Sequence, residues 1–396
     1  MRFKTLLAAT AATLLAGAAQ ADSTGITDTS IKIGNTSPYS GPASAYGVIG
    51  KTHTAYFAMV NRNGGIKGRT IDFISLDDGY SPPRTVEQAR KLVEQEKVAF
   101  TFQTLGTPTN SAIHRYMNAK KVPHLFVATG ASKWGHPEQY PWTMGFQPTY
   151  DVEGEIYAKY ALDQVKDPKI AILFQNDDYG KDYRDGFLRG LGDKKDLVVS
   201  MLPYETTDPT VDSQIVAMKD SGANIFFNVT TPKFAAQAIR KSCEIGWKPL
   251  HLLNNVSSSV GATLKPAGLD CSTGIITAQW QRDPTDPQWF ETEGYKEWAA
   301  FMKAEIPDGD LSDVNYAYGY SGSRLLHHVL ENCEDWTREG IMGCAANVKD
   351  LQLPMVLPGI LVNTSPTDFY PIQAEQLSKF DGEKWVLFGE VIDASE

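Results

Sequence analysis

Apolar residues along this chain arrive in two alternating rhythms. Short runs with strand-like character, such as Ile31-Lys32-Ile33 and Ile71-Asp72-Phe73-Ile74-Ser75-Leu76, are followed by stretches whose apolar positions recur at helical spacing. The spacing predicts helices over 50–63 (closed by Asn63-Gly64-Gly65), 85–96 and 110–119, with strands over 98–102 and 122–128. The rhythm then starts again. Helices over 150–162, 179–191, 210–221 and 234–245 alternate with strands over 169–174, 197–202, 225–229 and 250–253. Strands that alternate with helices build parallel sheets covered on both faces. Two such runs predict an α/β chain of two Rossmann-like lobes with parallel-rich central sheets. The last third carries helical patterns over 287–304, 314–331 and 339–346, then a β-rich tail over 373–380 and 384–391 turning at Asp381-Gly382. Helices that late need a sheet to cover, and the first lobe's is the expected one, so the chain must cross between lobes several times.

The first residues bear on the compartment. Arg2 and Lys4 precede an apolar run, Leu6 to Ala16, that is too short for a stable anchor and ends at Ala19-Gln20-Ala21. No charge falls between Thr5 and Ala21. This is the pattern of a signal peptide over 1–21, cleaved after Ala21, and it predicts a periplasmic protein. Asp22 follows in place of Cys, which argues against a lipid anchor.

Length and charge narrow the picture further. A chain of 396 residues exceeds what one core of ~250–300 residues supports. The net charge is −10, and loss of Arg2 and Lys4 would leave the remainder more acidic still. With no basic cluster, neither nucleic acid nor an anionic membrane surface is an expected partner. No later run reaches ~18 apolar residues. The four cysteines, Cys243, Cys271, Cys333 and Cys344, all lie in the second half, and in an exported chain they read as disulfides. Pairing neighbours in sequence is the natural choice, although three connectivities are open. No C-x-x-C spacing suggests a metal.

Catalytic signals fail on their context. Ala45-Tyr46-Gly47-Val48-Ile49-Gly50-Lys51-Thr52 fits a relaxed phosphate-loop pattern, but Pro38 and Pro42 separate it from the preceding strand, so a loop and a helix start are expected. No G-x-S-x-G elbow or H-E-x-x-H occurs, and the seven histidines are scattered. Asp77-Asp78 and Asp177-Asp178 follow strands; adjacent residues point apart, so turn and capping roles are expected rather than paired acids. No enzyme activity, cofactor or metal is expected.

The strand-end loops are the informative part, because open α/β sheets bind ligands beyond the carboxyl ends of their strands. Those loops are rich in glycine, hydroxyl and aromatic residues: 40–47, Leu105-Gly106-Thr107-Pro108-Thr109-Asn110, Ala128-Thr129-Gly130-Ala131-Ser132, 176–180 and Thr230-Thr231-Pro232. Hydroxyls and backbone N–H groups ahead of a helix suit a carboxylate.

Ser40-Gly41-Pro42 through Tyr46-Gly47, then Asn63-Gly64-Gly65-Ile66-Lys67-Gly68, Asp77-Asp78, Asp178-Tyr179-Gly180 and Asp212-Ser213-Gln214-Ile215, resemble the leucine/isoleucine/valine-binding protein family of ABC importers over most of the chain. The resemblance implies two lobes joined by a three-crossover hinge and closing on a ligand, here 22–144 with 279–354 and 145–278 with 355–396. It implies that Thr107 supplies the hydroxyl for the ligand carboxylate, that Ala128 and Gly130 contribute backbone beside Thr129, and that Tyr46 and Tyr179 cover the pocket from the two sides. Thr230 takes a further pocket position. Tyr150 is either a stacking surface or a core residue.

One departure bears on the ligand. Amino-acid binders of this type carry an acid after the strand at 250–253, to hold the ammonium; this chain reads Asn254-Asn255-Val256-Ser257-Ser258. A buried ammonium without a carboxylate is costly. The expected ligand is therefore an aromatic or other organic acid, with Asn255 at the vacated position and branched-chain amino acids or amides as the alternative. The expected partners are that small molecule and an inner-membrane permease, with the binding protein itself monomeric. Sensing for a receptor is the alternative to transport.

Overall fold

The computed structural model describes residues 23–393; the signal-peptide reading of residues 1–21 lies outside them. The first sheet holds β1 (Ser30–Ser37), β2 (Thr70–Asp77), β3 (Phe100–Phe102) and β4 (His124–Leu125), all parallel, in the order β2-β1-β3-β4. Ile31, Ile33, Phe100, Phe102 and Leu125 are wholly buried, as strands covered on both faces require. Helices α1 (Gly47–Arg62), α2 (Pro82–Arg90) and α3 (Thr107–Ala119) connect them.

The second sheet starts after α4 (Tyr150–Gln164). Strands β5 (Ile170–Gln175), β6 (Val198–Tyr204), β7 (Ile225–Val229), β8 (Leu250–Leu253) and β9 (Ile276–Gln279) pair in parallel. They alternate with α5 (Asp178–Leu191), α6 (Asp212–Asp220), α7 (Pro232–Glu244) and the short turns α8 (Lys265–Ala267) and α9 (Leu269–Ser272). Helices α4 and α5 touch backbone to backbone: a Cβ on Gly186 would lie 2.0 Å from the Asp151 carbonyl oxygen.

Next come α10 (Glu293–Glu305), α11 (Val314–Glu331) and α12 (Arg338–Ala345), and α11 packs on α1 in the first lobe. A hydrogen bond of 2.8 Å between His53 Nδ1 and Ser323 Oγ lies in that seam. Leu353, Met355 to Leu357, Ile360, Val362, Phe369 and Ile372 join the same core. The chain then returns to the second sheet, where β10 (Ala374–Phe380) runs antiparallel to β9 and carries β11 (Trp385–Leu387) and β12 (Ile392–Asp393). Two α/β lobes joined by several crossovers are thus the fold, as the alternation predicts.

Three local departures have physical causes. The strand expected over 122–128 stops at Leu125, because Phe126 takes a φ of 53°, outside extended backbone. Gln103, at 50°, ends β3 in the same way. The helix expected over 287–304 divides into a 3₁₀ turn, Pro287–Trp289, and α10. Asp286 caps the first piece by accepting from Gln288 N–H, and Thr292 begins the second in extended backbone. Strand β9, buried and only four residues long, escaped the sequence pattern.

Both disulfides pair sequence neighbours, Cys243 with Cys271 and Cys333 with Cys344. The paired aspartates take turn and capping roles: Asp177 accepts from the N–H groups of Tyr179 and Gly180, and Asp78 from Tyr80 N–H.

Candidate functional site

The kinks at Gln103 and Phe126 bring Leu105 and Ala128 together in an isolated parallel bridge at the first lobe's edge. Here α3 begins. Its cap, Gly106, has a φ of 99°, and a Cβ there would sit 2.4 Å from the Tyr80 ring, so only glycine lets Tyr80 close against the helix start. The first intrahelical bond runs from Asn110 N–H to the Gly106 carbonyl, which leaves the N–H groups of Thr107 and Thr109 without helical acceptors. Thr107 Oγ1 lies 2.5 Å from Thr129 Oγ1, and both side chains are buried. Uncommitted N–H groups, a hydroxyl and the positive end of a four-turn dipole therefore meet at one place.

A cleft opens on that helix start, and residues of both lobes line it. Of the residues singled out from sequence, Tyr46, Thr107, Ala128, Tyr150, Tyr179 and Asn255 reach its wall. Thr129, Gly130 and Thr230 stand behind it. Thr129 supports Thr107; the Gly130 carbonyl accepts from Tyr150 N–H at 2.8 Å; Thr230 Oγ1 donates to Asn228 Oδ1 at 2.7 Å, and Thr231 faces the cleft in its stead. The Ala128 backbone is already committed, its N–H to the Thr104 carbonyl and its C=O to Gly106 N–H.

The second lobe contributes an aromatic wall. Tyr150 stacks on Tyr183 with centroids 4.4 Å apart, and Tyr179 stands edge-on to both. The Tyr179 hydroxyl is 2.6 Å from the Asn254 carboxamide. Asn255 is held from below: its N–H donates to Glu153 Oε1 at 2.7 Å and its Nδ2 to the Ala278 carbonyl at 2.6 Å. Glu153 also accepts from the Tyr157 and Tyr183 hydroxyls, and burial lifts its carboxyl to about 7. Burial, reinforced by Glu153, pushes the nearby Glu375 carboxyl well above its usual range.

Sequence reasoning missed the floor. Gln147, Gln281 and Asp283 line the cleft from the connections between lobes, with Gln279 at the end of β9, joined by Tyr318 of α11 and Trp385 of β11. Only Tyr80 carried a signal, since it follows the strand-end pair Asp77-Asp78. The connections have no periodicity to read. Among the described residues Asp283 is the charged side chain in the lining. It accepts from Thr285 N–H, Thr285 Oγ1 and Trp385 N–H at 2.7–2.9 Å, and burial raises its pKa.

Contacts across the mouth hold the lobes together. The Tyr46 hydroxyl donates to the Val256 carbonyl, Gly261 N–H to the Ser312 carbonyl at 2.9 Å, and Ser259 Oγ to Asp313 Oδ1 at 2.8 Å. Lys133 meets Asp178 at 2.5 Å, where Ser111 also donates. This is a closed arrangement of two lobes over an aromatic-rich cleft, the kind of site that takes a small molecule.

Known proteins share this architecture. Leu/Ile/Val-binding protein homolog 1 of Brucella suis is 25% identical over 237 residues, 58% of this chain and 62% of its own length, so the match spans under two thirds of that relative. A branched-chain amino acid ABC transporter protein of Thermus thermophilus, solved with bound valine, superposes with a TM-score of 0.82 at 14% identity, covering 93% of this chain and 98% of its own. A solute-binding protein of an R. palustris ABC transporter, solved with 4-hydroxybenzoate, does so with a TM-score of 0.77 at 18% identity, covering 93% and 98%. The profile of the family described as periplasmic binding protein matches residues 30–371, a family of binders rather than enzymes, and the chain belongs to it.

Proposed function

We propose that this protein is the periplasmic receptor of an ABC importer and that it captures a small organic acid lacking an amine by closing its lobes. The observation that carries this reading is the start of α3: the Thr107 backbone N–H, which has no helical acceptor, and the Thr107 hydroxyl lie at the cleft, with the helix dipole behind them. The position after β8 holds Asn254 and Asn255, which offer an ammonium no charge. The aromatic wall of Tyr46, Tyr80, Tyr150, Tyr179 and Trp385 suits a flat or apolar body, in line with the neighbour solved with 4-hydroxybenzoate. Closure would present the loaded form to a permease, with export through cleavage after Ala21 and a monomeric receptor as parts of the same reading.

Asp283 favours a second reading, an amino acid, because it places a carboxylate in the wall. The named Leu/Ile/Val-binding relatives and the valine-bound neighbour point the same way. Its three donors are already protein groups, so the first reading is preferred.

The test is a thermal-shift and calorimetric screen of protein refolded free of ligand, against benzoate, hexanoate, valine, leucine and simple amides. A ligand at 100 times its Kd adds about 2.7 kcal/mol of stability. Binding of an amine-free acid, weakened about tenfold or more by Thr107→Ala with the fold intact, is the expected result. Stabilisation by valine or leucine alone would overturn it.

A further inference from the structure

We infer that the connections between the lobes and the end of β9 carry a second recognition subsite, built from Gln147, Gln279 and Gln281, that selects acids bearing a hydroxyl group remote from the carboxylate. The inference rests on the carboxylate reading above and adds the chemistry of the ligand's other end. The three side chains are 5%, 6% and 7% exposed, and all line the cleft. A buried carboxamide normally has partners, because leaving one unpaired costs about 1–3 kcal/mol. Among the described residues, Gln147 has one, the Tyr318 hydroxyl, which donates to its Oε1 at 2.8 Å and leaves its Nε2 free. Among the described residues no hydrogen bond reaches the side chain of Gln279, and Gln281 Nε2 is buried without a partner. Uncommitted amide groups from the connection at Gln147 and from the end of β9 and the segment after it therefore line one floor.

Together they offer donors and acceptors, the complement of a hydroxyl, which both donates and accepts. Asp283 beside them disfavours a second carboxylate by like-charge repulsion, and its own oxygens are engaged by Thr285 and Trp385. A site built to bond a hydroxyl rejects the analogue that lacks it, because the glutamines would then stay unpaired.

Calorimetry with two matched pairs tests this: 4-hydroxybenzoate against benzoate, and 6-hydroxyhexanoate against hexanoate. The hydroxylated member of at least one pair should bind tenfold or more tightly to the wild type. Gln281→Met and Gln279→Met should each erase most of that preference while keeping affinity for the unsubstituted acid, which also shows that the variants fold. Equal affinities within both pairs, or a preference unchanged in both variants, would overturn the subsite and leave the carboxylate reading standing. Binding of no acid, or of valine alone with loss in Asp283→Asn, would overturn the carboxylate reading and this inference with it.

Discussion

The Tyr46 hydroxyl donates to the Val256 carbonyl at 2.9 Å, joining opposite walls of the cleft across 210 residues of sequence. Tyr46 sits in a 3₁₀ turn just ahead of α1, and Val256 in the turn after β8. The bond can form only when the lobes are closed, so it contributes to the closed state and nothing to the open one. Tyr46→Phe keeps the ring and removes the bond. A loss of about 1 kcal/mol should raise Kd roughly fivefold, chiefly through faster release. Stopped-flow release rates beside calorimetry check this; an unchanged release rate would count against a closing role.

Lys133 and Asp178 form the exposed part of the same closure, with 33% and 55% of their side chains accessible. A contact this open is screened by salt and worth little. Lys133→Met should weaken ligand binding about two- to threefold at low ionic strength, and the difference should vanish near 1 M salt. A loss that persists in high salt would mean that the side chain acts through packing instead.

Acid should destabilise the fold. His53, His124 and His251 are each pulled down to about 3 by burial. In the unfolded chain they titrate near 6.5, so between those values the unfolded state takes up protons the folded state refuses. Their contribution is whole above about 6.5 and is lost as pH falls through that window. Glu153, lifted to about 7, acts in the opposite sense: its contribution is full below the ordinary carboxylate range and is lost as pH rises through 7. His114, lowered by burial to about 4, adds to the three histidines and Glu375 adds to the Glu153 offset, so stability should fall from pH 7 to pH 5 by less than the histidines alone would give. Glu153→Gln removes its part of the offset and should steepen that fall, as urea titrations at the two pH values would show.

The Cys333–Cys344 bridge closes a short loop with a sequence separation of 11. In the chain-entropy model such a loop contributes roughly 3 kcal/mol. Replacing both cysteines by serine should lower the thermal midpoint by several degrees while leaving ligand affinity within twofold, since neither residue lines the cleft. A large change in affinity would place α12 in the closing mechanism.

Much of the fold was legible because its causes are local. Burial on both sheet faces makes runs such as Ile170 to Phe174 continuously apolar, and helix starts declare themselves through caps such as Asp177. Thr107, Tyr46 and Tyr179 were legible in the cleft because they follow strands at the sheet edge where ligands gather. Gln147, Gln279, Gln281 and Asp283 were not, since they lie at the end of β9 or on connecting segments whose path depends on two lobes meeting. Thr129, Gly130 and Thr230 have strand-end positions too, yet the turn at Phe126 and the bond from Thr230 to Asn228 aim them behind the wall.

The sequence by itself determined the alternation of strand and helix, hence two α/β lobes, and restricted four cysteines to three pairings. It also placed a helix start rich in hydroxyls at the end of a buried strand, because propensity, capping and periodicity act within a few residues. The tertiary structure decided which side chains share the cleft: it spent the Ala128 backbone on a bridge to the Leu105 segment, tied Tyr46 to Val256, and floored the space with Gln147, Gln279 and Gln281. Those outcomes depend on the relative placement of two bodies and the chain crossing between them, which no local pattern encodes.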